Sequence, residues 1–285
     1  MSRPMRRPWI VWATGTAAFF FIAIALVISS SAQKPAQGNQ SGYEDEPSTV
    51  RPNGLAALAR QPRNYAERFQ NSGINSDSSS AAQSSSKSVT DYQPSEKVYL
   101  AHPSNYGERF SLDASGNAVS NQYLVVLHET VGSASSALNL FQTNHPNDND
   151  QVSYHTLIGL DGTVYYVVPP EQRAFGAGNS TFRTATGEES VYTNPDFPSS
   201  VNNFAYHISL ETPPDGQNNN SSSHSGYTQE QYQSLAWLLS RTTVPNDRIT
   251  THRAVDRSGS RSDPRSFESQ RLLDLLNQYP GRAGL

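Results

Sequence analysis

Three short apolar runs constrain this chain most, because each closes on a side chain that can bind a metal or move a proton. Tyr123–Leu127 ends on His128, Tyr206–Leu210 on Glu211, and Arg248–Thr251 on His252. Short runs rich in β-branched residues read as buried strands. Helical patterns lie between them. Ser135 or Ser136 can cap a helix whose apolar face is Ala137, Leu138, Leu140 and Phe141. Thr228 with Gln231 forms a capping box ahead of Tyr232, Leu235, Ala236, Leu238 and Leu239. Phe267, Leu272, Leu275 and Leu276 mark a closing helix, and Asp161-Gly162 is a hairpin turn between Val152–Leu160 and Val164–Val168. Strands alternating with helices predict an α/β domain, a central mixed β-sheet flanked by helices. Ligands of open α/β sheets bind at the carboxyl ends of the strands, where these three side chains stand.

The loop after His252 runs through Arg261 to Asp263-Pro264. Proline biases the residue before it toward extended backbone, which holds Asp263 open. A histidine and a carboxylate joined by a loop can converge on one ion, and His128 is the candidate third ligand. Three such ligands and one open position make a hydrolytic zinc site. The chain has no cysteine, so disulfides, thiolate ligands and thiol catalysis are excluded. A metal here is held by imidazole and carboxylate, which favours Zn2+ and leaves nickel, cobalt and manganese open. The net charge of -4 argues against nucleic acid as a partner. Among the other histidines, His155 succeeds Tyr154 onto the opposite strand face, in the core or behind the ligands. His207 shares a face with Ser209 and Glu211 and could also stand behind them. His102, His145 and His224 read as solvated.

The first 32 residues read as an export signal or a membrane anchor. Arg3, Arg6 and Arg7 precede an uncharged apolar run from Trp9 to Ile28, and Ser30-Ser31-Ala32 offers a cleavage site. The positive-inside rule places the rest of the chain outside the cytoplasm, in the periplasm or cell envelope. Residues 33–97, rich in Ser, Gln, Asn and Pro, read as a disordered linker, and the folded domain as 98–285. Pro62-Arg-Asn-Tyr-Ala-Glu-Arg-Phe69 is echoed by Pro103-Ser-Asn-Tyr-Gly-Glu-Arg-Phe110. The second copy is expected to pack on the domain through Tyr106 and Phe110; the first is either a tethered competitor for that groove or a remnant without a role. Two polar insertions, Gly178–Asn203 and Pro213–Gly226, read as functional rims or disordered loops outside the core.

Five motifs occur in register from about Val98 to Leu285. They are Leu127-His128-Glu-Thr130; Ser153-Tyr154-His155 with Asp161-Gly-Thr-Val-Tyr165; Ala174-Phe-Gly-Ala-Gly178; Ile208-Ser-Leu-Glu211; and Thr251-His252 through Arg261-Ser-Asp263-Pro264. Together they resemble the zinc-dependent N-acetylmuramoyl-L-alanine amidase family, the amidase-2 group related to phage T7 lysozyme and peptidoglycan recognition proteins. The resemblance implies one zinc and hydrolysis of the amide between N-acetylmuramic acid and the L-alanine of the stem peptide. It implies His128, His252 and Asp263 as metal ligands and Glu211 as the acid–base carboxylate. Tyr154 falls on the tyrosine of the phage and recognition-protein branch, so either group could handle the proton. Phe175 and Ala177 fall in a substrate-contacting segment.

The departures from the pattern carry information. Arg261 stands where the family usually has lysine, and arginine can steady an oxyanion without giving up a proton. Asp-Pro-Arg265 replaces Asp-Pro-Gly, and Phe175-Gly176-Ala177-Gly178 replaces Trp-His-Ala-Gly. The expected mechanism has Glu211 moving the proton, so Glu211→Gln is expected to end turnover while zinc stays bound. The expected partners are peptidoglycan and muropeptides; oligomeric state is not readable. A peptidoglycan-binding module without catalysis and a zinc amidase or peptidase acting on a small soluble substrate are the alternatives.

Overall fold

The computed structural model describes residues 89–282; the segment at 1–32, linker residues 33–88 and the first repeat copy lie outside the described residues. Along the chain come β1 (Glu96–Val98), β2 (Tyr106–Glu108), β3 (Leu124–Glu129), α1 (Ala134–Gln142), β4 (Thr156–Ile158), β5 (Val164–Tyr166) and β6 (Gln172–Ala174). They are succeeded by β7 (Phe182–Thr184), β8 (Gly187–Glu189), β9 (Ala205–Leu210), α2 (Gln229–Ser240), β10 (Ile249–Thr251), α3 (His252–Val255) and α4 (Ser269–Leu276). Six strands form the central sheet in the order β1-β5-β4-β9-β3-β10. β3 runs parallel to β9 and β10, and β9 parallel to β4, whereas the β4–β5 hairpin is antiparallel. The sheet is mixed, as expected.

Every residue of β3 and β9 is buried, because both faces of the sheet are covered. On one face Val125, Leu127, Tyr206, Ile208 and Leu210 pack with Leu235, Leu238 and Leu239 of α2 and Leu272 and Leu276 of α4. On the other face Leu157 meets Ala137, Leu138 and Phe141 of α1, while Leu124, Val126 and Ala205 meet Ala177, Val191 and Val201. Toward the carboxyl ends of β3 and β9 this second face turns polar: His128, His207 and Ser209 are fully buried there. The capping box of Thr228 and Gln231 starts α2. The Gln231 amide also donates to the Ile158 and Glu211 carbonyls, which ties the helix start to the ends of β4 and β9. Gly162 takes φ +80 in the β4–β5 turn, and a Cβ there would sit 2.7 Å from the Tyr92 hydroxyl.

Several expectations need correction. Ordered structure begins before Val98: β1 pairs with β5, and Val89 and Tyr92 pack against the α2 side of the core. The cap of α1 is Ser133, whose hydroxyl accepts from Ser136 N. The insertions are part of the domain. Gly178–Asn203 contains the β7–β8 hairpin, and Glu189 at its end pairs with Arg248 at 2.8 Å. Pro213–Gly226 is anchored by His224, whose side chain is buried and lies 3.2 Å from Glu129, so His224 is not solvated. His145 is also engaged, 2.8 Å from Asn105 Oδ1. The second repeat copy packs mainly through its polar residues. Asn105 donates to the Phe141 and Thr143 carbonyls, and Arg109 to those of Pro170, Asn203 and Ala205. Tyr106 packs on the α1 cluster, but Phe110 is 41% exposed. Among the described residues no helix is long and apolar enough to cross a membrane.

Candidate metal centre and cleft

Strand pairing brings the two histidines together. Thr251 is in register with Leu127, so the next residue of each strand, His252 and His128, emerges at the same level. The Thr251 hydroxyl caps α3 by accepting from Ala254 N, which turns the chain at once after His252. The loop then returns, and Arg253 N donates to the Asp263 carbonyl at 2.9 Å. Asp263 thereby faces both imidazoles: its Oδ1 lies 3.0 Å from His252 Nδ1, and its Oδ2 lies 3.3 Å from His128 Nδ1. One atom from each of the three residues falls within 4.8 Å of the others.

This arrangement fits a zinc ion. His128 Nδ1 is buried and, despite its distance from Asp263, makes no hydrogen bond. Two imidazole nitrogens and one carboxylate oxygen are a donor set that zinc accepts. Burial pushes the His128 pKa down to about 4, against the opposing pull of Asp263, so the ring is neutral and ready to ligate. Burial alone would raise Asp263, but the nearby His128 and His252 rings outweigh it and hold the carboxyl below its usual range.

A cleft of about 450 Å³ opens beside the cluster, with Tyr154, Arg173, Phe175, Asn202, His252 and Arg261 among its walls. Tyr154 stacks on His128 with ring centroids 4.3 Å apart, and Phe141 packs edge-on against it at 5.4 Å. Burial, then the charge of Asp263, raises the Tyr154 pKa, which keeps the phenol protonated. Arg173, at the centre of β6, was not singled out from the sequence. Its guanidinium lies between the Phe110 and Phe175 rings at 4.9 and 5.2 Å, donates to Thr193, and has no carboxylate partner among the described residues. A three-residue strand flanked by loops gave no periodic signal that could have pointed to it.

Two expected site residues are placed otherwise. Glu211 does not line the cleft. Its two oxygens accept from the backbone N–H groups of Ala134 and Leu160 at 2.8 and 2.9 Å, which fastens the start of α1 to the β4–β5 turn. β9 ends at Leu210, so the alternation that put Glu211 beside His207 and Ser209 lapses there. Ala177 is 1% exposed within the core beside Leu124 and Val126, and its N–H donates to Asn202 Oδ1. Of that segment, Phe175, Gly176 and Gly178 reach the cleft. Arg265 also finds an explanation. Its side chain and backbone N–H donate to Glu129 on the opposite face of β3, and Glu129 accepts from Thr212 and Tyr227 as well. That buried pair holds the chain two residues beyond Asp263.

A family model described as N-acetylmuramoyl-L-alanine amidase (Amidase_2) matches residues 119–266. No curated protein sequence matches. Among solved structures, a Se-Met AmpD derivative aligns at 23% identity with a TM-score of 0.45, over 67% of this chain and 98% of that one. The E. coli amidase AmiD, in complex with anhydro-N-acetylmuramic acid-L-Ala-D-gamma-Glu-L-Lys, aligns at 18% identity with a TM-score of 0.40, over 60% and 65%. AmpDh3 from Pseudomonas aeruginosa, in complex with an anhydromuramic pentapeptide, aligns at 18% identity with a TM-score of 0.38, over 58% and 66%.

Proposed function

This chain belongs to the N-acetylmuramoyl-L-alanine amidase family, which hydrolyses the amide joining N-acetylmuramic acid to the L-alanine of the peptidoglycan stem peptide; from that premise we propose that the cleft beside His128, His252 and Asp263 is the active site and that these three residues hold a zinc ion. The reading rests on one observation, the convergence of two Nδ1 atoms and a carboxylate from the end of β3 and the loop that begins at His252. When bound there, zinc supplies Lewis-acid activation of the scissile carbonyl and of water. Tyr154, kept neutral by burial, donates a hydrogen bond to the developing oxyanion. Arg261, which also lines the cleft, adds a fixed positive charge. Arg173, held between two phenyl rings, presents a cation suited to a stem-peptide carboxylate. The part of Glu211 is to fasten the start of α1 to the β4–β5 turn. The polymer lies outside the cytoplasm, and the basic head and apolar run at residues 3–28 supply the export signal or anchor that takes the domain there.

The test is digestion of purified sacculi by the full chain, with the products read by mass spectrometry. Stem peptides with a free L-alanine amino terminus are expected. A chelator should stop their release and added zinc restore it. Binding without release would favour the non-catalytic module, and equal release with chelator present would remove the metal.

A further inference from the structure

His207 lies behind the metal centre, on the strand adjacent to His128. Its Nδ1 is 2.9 Å from His128 Nε2, and both rings are fully buried. A neutral imidazole carries one proton, on one nitrogen or the other. If His128 uses the Nδ1 lone pair toward the ion, its proton must sit on Nε2, which then needs an acceptor. His207 Nδ1 is the only hydrogen-bonding partner that atom has among the described residues. The placement of His207 is fixed from two sides. Its backbone N–H donates to His155 Nδ1 at 2.9 Å. Gly176 passes so close that a Cβ there would fall 2.7 Å from both Cγ and Nδ1 of His207, so the residue opposite has no room for a side chain. The arrangement leaves His207 Nε2 buried without a partner, a cost the fold accepts at this position.

We propose that His207 is a positioning residue for the metal centre: by accepting the Nε2–H of His128 it selects the tautomer whose Nδ1 lone pair faces the ion. A ligating histidine needs its outer nitrogen hydrogen-bonded to keep ring orientation and basicity, and here a second imidazole does this. The inference rests on the reading of His128 as a ligand.

Nitrogen-15 NMR of the metal-free full chain reads the tautomer directly. The expected spectrum has His128 protonated on Nε2 and bare on Nδ1; protonation on Nδ1 overturns the proposal, whatever any variant does. Zinc affinity, by competition with a chromophoric chelator, is the second readout. His207→Ala should weaken zinc binding by about 10- to 100-fold. His207→Asn, whose Oδ1 can occupy the place of Nδ1, should bind close to the wild type. Gly176→Ala should also weaken binding, by displacing the ring without removing it. Unchanged affinity in His207→Ala, or equal loss in Ala and Asn variants, would overturn the role of the acceptor. Absence of zinc binding by the unaltered chain would instead defeat the metal reading itself, and this inference with it.

Discussion

If the Tyr154 phenol steadies the oxyanion, removing its hydroxyl must slow the chemical step and leave zinc in place. Tyr154→Phe keeps the stack on His128 and the edge contact with Phe141. Its kcat should fall by about 10²- to 10³-fold with zinc affinity unchanged, as when one oxyanion donor is removed elsewhere. Glu211→Gln should do the reverse. An amide oxygen can accept one of the two backbone N–H groups, but its NH₂ faces the other, so stability should drop by about 1–3 kcal/mol while the folded, zinc-loaded enzyme still turns over. Kinetics on sacculi alongside thermal unfolding of both variants would check this. A folded but inactive Glu211→Gln with an active Tyr154→Phe would exchange the two roles. His128 and His252 were legible because each stands at the end of an apolar run, and Asp263 because a short loop carries it from His252 to an Asp-Pro step. Glu211 shares that signature, and only its backbone partners, invisible in the chain order, separate it from the others.

At the scale of elements, the buried imidazoles where β4 meets β9 make the sheet sensitive to acid. His155, just before β4, accepts the His207 backbone N–H on Nδ1, so its own proton sits on Nε2 beside the Gln172 carbonyl at 3.1 Å. Burial, then the charge of Arg109, drives its pKa well below the ordinary value. Below the unfolded value of about 6.5 the unfolded chain takes up a proton that the folded one refuses, so stability is complete above that pH and declines beneath it. One such group contributes a slope of about 1.4 kcal/mol per pH unit. Unfolding free energies of chelated wild type and His155→Gln, measured at pH 7.5, 6 and 5, should differ in slope by about one proton. Equal slopes would show that His155 charges freely in the folded state. Sequence periodicity placed these strands and the α2 capping box correctly, because both-face burial and a local cap leave marks in the chain. It placed His224 in solvent and registered Arg265 only as a departure from Asp-Pro-Gly, because the Glu129 network joins residues about 95 and 136 positions away.

For the molecule as a whole, composition put the domain boundary in the wrong place, and that error can be tested. Residues 89–97 are polar enough to read as linker, yet they close the edge of the sheet. Val89 and Tyr92 pack on the core, the Tyr92 hydroxyl lies 2.9 Å from Ser234 Oγ on α2, and the Tyr279 hydroxyl donates to the Val89 carbonyl. Val164 N donates to the Ser95 carbonyl at 2.8 Å, and the Tyr166 hydroxyl to Glu96. A three-residue strand such as β1 gains its place from a partner already in the sheet, so the chain shows no pattern of its own there. Starting the protein at Val98 instead of Ser88 would strip these contacts and expose the far side of β5. Two partly buried side chains and a few hydrogen bonds make the loss about 3–5 kcal/mol. The damage should stay local, because β1 and β10 are opposite edges of the sheet and the metal cluster sits at the β3–β10 end. The shorter chain is therefore expected to unfold at lower urea while each folded molecule keeps its zinc and its turnover. Coincident urea midpoints would show that residues 88–97 contribute nothing to the fold, and a shifted zinc affinity would mean that the two edges are coupled through β4 and β9.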